Sequence, residues 1–237
     1  NPGAAIREMN QSRQAAHEFL KDAGWLIITL GSSYTYRLTS AASRAGEELH
    51  AGVANCHRAP SAWFNKEMLE IPAINQLLTG TIQRLRNFNP SLKILFTISP
   101  VRHIRDGVVE NNRSKARLIE SVHQLTQSND FIHYFPAYEM VIDVLRDYRF
   151  YDIDLVHPNY AATEFVLEQF GLHCIEEETR QLMQEVKKIM IARRHKAFQP
   201  DTNAHRKFLA DHAAKTRNLM EKYPFLKLED ELVYFSS

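Results

Sequence analysis

At 237 residues the chain can bury a substantial core, as one large domain or as a domain with an appendage. Its 29 Lys and Arg against 28 Asp and Glu leave a net charge of +1, so charge points to neither a nucleic acid nor a membrane surface as partner. No apolar run approaches the roughly 18–20 residues of a membrane span. The two cysteines, Cys56 and Cys174, are too few and too far apart for a disulfide framework or a metal site, and a reducing, cytoplasmic setting is expected.

Residues 4–22 read as an amphipathic helix, with Ile6, Met9, Ala16, Phe19 and Leu20 on one side and Gly24 as its stop. Trp25-Leu26-Ile27-Ile28-Thr29-Leu30 is a continuous apolar run of strand length, the pattern of a strand buried on both faces of a parallel sheet. It ends at Gly31-Ser32-Ser33-Tyr34. Residues 37–51 are small and polar and read as loop, and a short segment, Val53 to His57, precedes Pro60. A second helix spans 71–88 and stops at Asn89-Pro90. Lys93 to Ile98 is the second buried strand, with Ser99-Pro100-Val101-Arg102-His103 as its exit. A helix over 112–128, a strand over 131–135 and a helix over 137–145 follow.

Next comes Arg149-Phe150-Tyr151-Asp152-Ile153-Asp154-Leu155-Val156-His157-Pro158-Asn159-Tyr160. Pro158 suits the first position of a helix running to Phe170, and it pushes His157 out of helical geometry. His157 is therefore expected on a constrained corner, with Asp154 one turn earlier and able to reach its ring. From about 175 the pattern changes to two charged helices, 175–195 and 203–222, with a short strand-like tail at Glu231 to Phe235. The expected division is an α/β domain over 1–172 and a helical hairpin over 173–237, packed on the first domain or on a partner chain.

The alternation of helix and strand predicts a mainly parallel sheet covered on both faces, a three-layer α/β/α fold. Such sheets bind ligands beyond the carboxyl ends of their strands, and polar residues gather in the loops at Gly31–Tyr34 and Ser99–His103. An Asp that orients a His is the base half of a nucleophilic hydrolase site, which makes Asp154 and His157 the first candidates. Ser32 or Ser33 could serve as nucleophile, although the spacing is not that of a G-x-S-x-G elbow. Alternatively the Gly31 N–H points into the site as an oxyanion donor.

Asn55 offers an amide donor for the same purpose, or satisfies its own turn. Cys56 and His57 are sequence neighbours that would point to opposite faces of an extended segment, which disfavours a dyad. Ser99, Arg102 and His103 either line a pocket, with Arg102 binding a carboxylate or phosphate, or brace their loop. His57, His103 and His157 lack the spacing of a metal site, so no metal and no cofactor are expected.

Taken in order, Val53-Ala54-Asn55-Cys56-His57, Phe96 to His103 with Asp106-Gly107 and Asn111, Tyr134 to Glu139, Asp147 to Tyr151, and Asp154-Leu155-Val156-His157-Pro158 resemble the blocks of the GSCFA domain. That is a bacterial family related to the SGNH/GDSL-like hydrolases, and the resemblance covers residues from about 10 to about 210. It implies a flavodoxin-like sheet. It also implies that Asp154 and His157 are orienter and base, that Gly31 and Asn55 are oxyanion donors, and that a serine serves as nucleophile.

The Gly-Ser-Cys-Phe-Ala run that names the family and carries that serine does not occur in these residues. The expectation is therefore a hydrolase domain whose first strand and nucleophile lie upstream of Asn1. Its expected substrate is a small ester or an acylated carbohydrate, with self-association through the C-terminal helices left open. The alternative is a non-catalytic descendant that binds a glycan or a protein through the same pocket.

Overall fold

The computed structural model describes residues 2–42, 52–195, 197, 198 and 201–236. The chain forms two compact units, Asn1–Val166 and Leu167–Ser237.

In the first unit α1 (Pro2–Asp22) leads into β1 (Trp25–Leu30). Then come β2 (Tyr34–Leu38), β3 (Gly52–Val53), β4 (Phe64–Met68), α2 (Ile71–Phe88), β5 (Lys93–Ile98), α3 (Val108–Ser128) and β6 (Ile132–Phe135). A short α4 (Ala137–Glu139) runs into a π-helical turn, Met140–Leu145, and α5 (Tyr160–Cys174) follows. β1, β5 and β6 make a parallel sheet in the order β1-β5-β6, in which Trp25 lies opposite Lys93 and Ile94 opposite Ile132. This is an α/β fold with the parallel sheet that the alternation predicts.

The core explains the sheet. Ile82 of α2 and Val122 and Leu125 of α3 close over Ile94, Phe96 and Ile132. Ile74, Ile98 and Leu118 extend the same layer toward the carboxyl ends of the strands. Ile94 and Phe96 are wholly buried, and each such burial contributes about 1.5–3 kcal/mol. β5, in the middle of the sheet, is buried at Ile94, Leu95, Phe96 and Ile98. β1 departs from the expected two-sided burial: it is an edge strand, and Trp25 and Ile27 remain about half exposed.

Other differences have local causes. Arg37 and Leu38 of the segment read as loop are the end of β2, which pairs antiparallel with β3 and β4 in a separate small sheet; residues 43–51 lie outside the described residues. Helix α3 starts four residues earlier than expected because Gly107, at φ 86°, makes the turn into it. Helix α5 starts later, at Tyr160, because Pro158 is taken by a bridge to Tyr151 and Asn159 accepts a hydrogen bond from the Ala162 N–H (3.2 Å).

The second unit holds α6 (Glu177–Arg194), α7 (Asn203–Lys222) and α8 (Glu229–Ser236). The expected strand at Glu231–Phe235 is helix instead. Phe235 and Leu228 pack with Ile189, Ala192 and Ala213, and Arg193 pairs with the buried Glu231, so tertiary packing overrides the β-forming residues. Among the described residues α6, α7 and α8 share one core, so a third helix joins the expected hairpin.

Candidate functional site

Asp154 and His157 sit in a tight turn after Tyr151. The Asp152 N–H donates to the His157 carbonyl (2.8 Å) and the Leu155 N–H to the Asp152 carbonyl (2.9 Å). Leu155 is left-handed at φ 56°, a strain of about 1–2 kcal/mol for a residue with a side chain. The turn repays this in hydrogen bonds to one carboxylate. Oδ1 of Asp154 accepts from the N–H groups of Val156 (2.9 Å) and His157 (3.0 Å), while Oδ2 lies 2.6 Å from His157 Nδ1.

These bonds, the imidazole's first, hold the Asp154 carboxyl down at about 2. It is thus ionised, an acceptor only, near neutral pH. Nδ1 of His157 must then carry the proton, leaving Nε2 as the nitrogen that can take one up. Both side chains are open to solvent, 57% for His157 and 45% for Asp154. Asn159 pins the turn's exit, its amide donating to the Arg149 carbonyl (2.7 Å).

A second group of residues is built from long-range contacts beneath the strand ends. Lys115, 1% exposed, reaches up from α3 and donates to the carbonyls of Gly31 and Ser99, both at 2.6 Å. It thereby ties the exits of β1 and β5 together. Burial pushes its ammonium down to about 8. The neighbouring Ser114 hydroxyl accepts from the Ser33 N–H (2.8 Å) and lies 3.1 Å from Ser33 Oγ. Asn111, one turn earlier, accepts from the His103 N–H (2.9 Å).

A Cβ placed on Gly31 would come 3.9 Å from His103 Nε2, so that imidazole lies over the Gly31 backbone. Burial, and then the Lys115 charge, hold His103 below its ordinary value. The two groups meet where the Arg102 N–H donates to the Val156 carbonyl (3.2 Å).

Gly31, Ser99, Arg102 and His103 are thus joined to the strand ends or to the Asp154–His157 turn. The Leu30 carbonyl accepts from the Ser99 N–H, and across a trans peptide the Gly31 N–H points the opposite way, to the open side of β1. Ser32 is half-buried. Ser33 is 3% exposed with its hydroxyl against Ser114, which removes it as a nucleophile in this conformation.

Asn55 and His57 follow the end of β3. Asn55 Oδ1 accepts from the His57 N–H (2.7 Å), the self-satisfying turn, and no hydrogen bond among the described residues joins either to His157. Nor does any serine there bond His157. No cluster of three or more His, Cys, Asp or Glu among the described residues is placed to hold a metal ion.

Sequence reasoning did not single out Ser114, Lys115 or Tyr151. A signal existed for the first two. Asn111, Ser114, Lys115 and Leu118 fall at helical spacing on the stripe of α3 that is apolar further along, at Val122 and Leu125. Polar residues on a buried stripe mark the point where a helix leaves the core and passes under a site.

An α/β sheet with an Asp-oriented His and a clamped pair of strand exits is the class this fold and site define. Within that class the chain belongs to the GSCFA family, whose model matches residues 1–170. The model of the GSCFA domain protein C-terminal domain matches residues 186–237. No curated protein and no solved structure matches the chain. No helix among the described residues is long and apolar enough to cross a membrane.

Proposed function

We propose that the chain carries the base half of a serine ester hydrolase of the SGNH type. His157 Nε2 takes the proton from the attacking serine and returns it to the leaving alkoxide, while Asp154 fixes the tautomer and steadies the imidazolium. Gly31 N–H and Asn55 are the oxyanion donors, and the serine comes from a segment upstream of Asn1. The substrate is a small acyl or O-acetyl ester, on an acylated carbohydrate for example. What supports the reading is the 2.6 Å contact of Asp154 Oδ2 with His157 Nδ1, made on a carboxylate already fixed by two backbone N–H groups.

The reading gives the 237-residue chain alone no ester turnover. The full-length protein hydrolyses p-nitrophenyl acetate, and His157→Ala lowers kcat/KM by about a thousandfold or more. Equal turnover by wild type and variant would sink it. The second reading is a glycan- or protein-binding descendant of the same fold. That reading predicts no turnover from the full-length protein either.

A further inference from the structure

The strand-end loops hold a cation whose charge no contact so far described uses. Arg102 follows β5, and its backbone is hydrogen-bonded to the residue preceding His157. Its guanidinium lies 4.5 Å from the centre of the Tyr151 ring and 5.6 Å from that of Tyr148. The two rings are 6.4 Å apart, so together they support the guanidinium. Arg102 pairs with no carboxylate among the described residues, while Arg149, nearby in sequence, is taken by Asp147. A guanidinium held on aromatic faces keeps its N–H fork free for a planar anion.

An independent observation points to a ligand at the same place. Tyr151 is 7% exposed, yet its hydroxyl is buried without a hydrogen-bond partner. A buried phenol left unpaired costs about 1–3 kcal/mol, a cost that an acceptor arriving with a ligand removes. Tyr138 belongs to the same surroundings: its ionisation is held up by burial, Asp143 and Tyr151 and eased by Arg102. A cation held on two aromatic faces, an unsatisfied donor and the turn that carries His157 are therefore joined at the exit of β5.

We propose that Arg102 and the Tyr151 hydroxyl form a subsite for an anionic group, a carboxylate or a phosphate, of the molecule that His157 works on. Arg102 supplies the charge and Tyr151 a second donor, while the tyrosine rings keep the guanidinium from swinging into solvent. The substrate class narrows to esters that carry an acidic group, such as an acidic sugar or a dicarboxylic acyl chain. This narrowing rests on the hydrolase reading; the anion subsite itself does not.

The test is therefore a binding measurement first. The 237-residue protein is titrated with inorganic phosphate and, separately, with acetate, following backbone amide shifts in the 99–103 and 148–157 segments. Saturable binding of at least one anion is expected. It should weaken about tenfold or more in Arg102→Met, less in Arg102→Lys, and several-fold in Tyr151→Phe. Tyr151→Phe keeps the ring under Arg102, so it stays informative if Arg102→Met perturbs the fold.

Preference for phosphate over acetate, or the reverse, names the anion. No saturable shift, or equal binding by wild type and both Arg102 variants, overturns the proposal. In the full-length protein, Arg102→Met should raise KM for the mono-p-nitrophenyl ester of a dicarboxylic acid more than that for p-nitrophenyl acetate. Anion binding without any ester turnover would overturn the hydrolase reading alone.

Discussion

The two halves of the site are held in opposite ways. The Asp154–His157 turn is exposed and organises itself: every bond that fixes the carboxylate comes from within three residues of it. The exits of β1 and β5 are instead clamped from below by one buried lysine, 84 and 16 residues from the carbonyls it binds. Changes to the turn are therefore expected to disturb the fold less than changes to the clamp. One half is chemistry placed on a scaffold, and the other is scaffold on which the chemistry depends.

The contrast is open to direct attack, and the largest effect belongs to Lys115. Lys115→Met leaves two buried carbonyls without a donor and is expected to cost about 1–3 kcal/mol at pH 7, read from urea unfolding. The gap should also change with pH. Lys115 titrates at about 8 in the fold against an ordinary 10.5, so between these values the unfolded chain holds a proton the fold has released. Wild type should therefore gain on Lys115→Met as pH rises from about 8 to 10.5, by an amount on the order of 3 kcal/mol. A gap that stays flat over this window would mean that the lysine is not desolvated.

Ser114→Ala comes next. It removes one acceptor for the Ser33 N–H and should cost about 1 kcal/mol by the same measurement. Asp154→Ala lies at the small end: its carboxylate is exposed, and the urea midpoint should fall by less than it does in Ser114→Ala at pH 7. A large shift of that midpoint would make the turn part of the scaffold and erase the distinction.

Legibility in the sequence follows the same line. β1, α2 and β5 could be read because unbroken apolar runs and helical periodicity are local. The Asp-x-x-His spacing before Pro158 could be read because three residues suffice to make the contact. β2 and β4 could not: Phe64–Met68 has a polar, exposed centre, and such strands form by pairing rather than from their own pattern. α8 was hidden for the reverse reason, since Leu232 and Phe235 take their conformation from α6 and α7. Lys115 looks like any helix-surface lysine until the sheet places Gly31 and Ser99 above it. The edge position of β1 among the described strands is likewise a property of strand order, which composition does not encode.

The central claim is that Asp154 sets which nitrogen of His157 accepts a proton. The direct measurement is long-range nitrogen–proton NMR of the His157 ring in the 237-residue protein, at a pH where the ring is neutral. The account predicts the Nδ1–H tautomer in wild type and its loss in Asp154→Ala. A wild-type ring protonated mainly on Nε2, or a tautomer unchanged by Asp154→Ala, would contradict it.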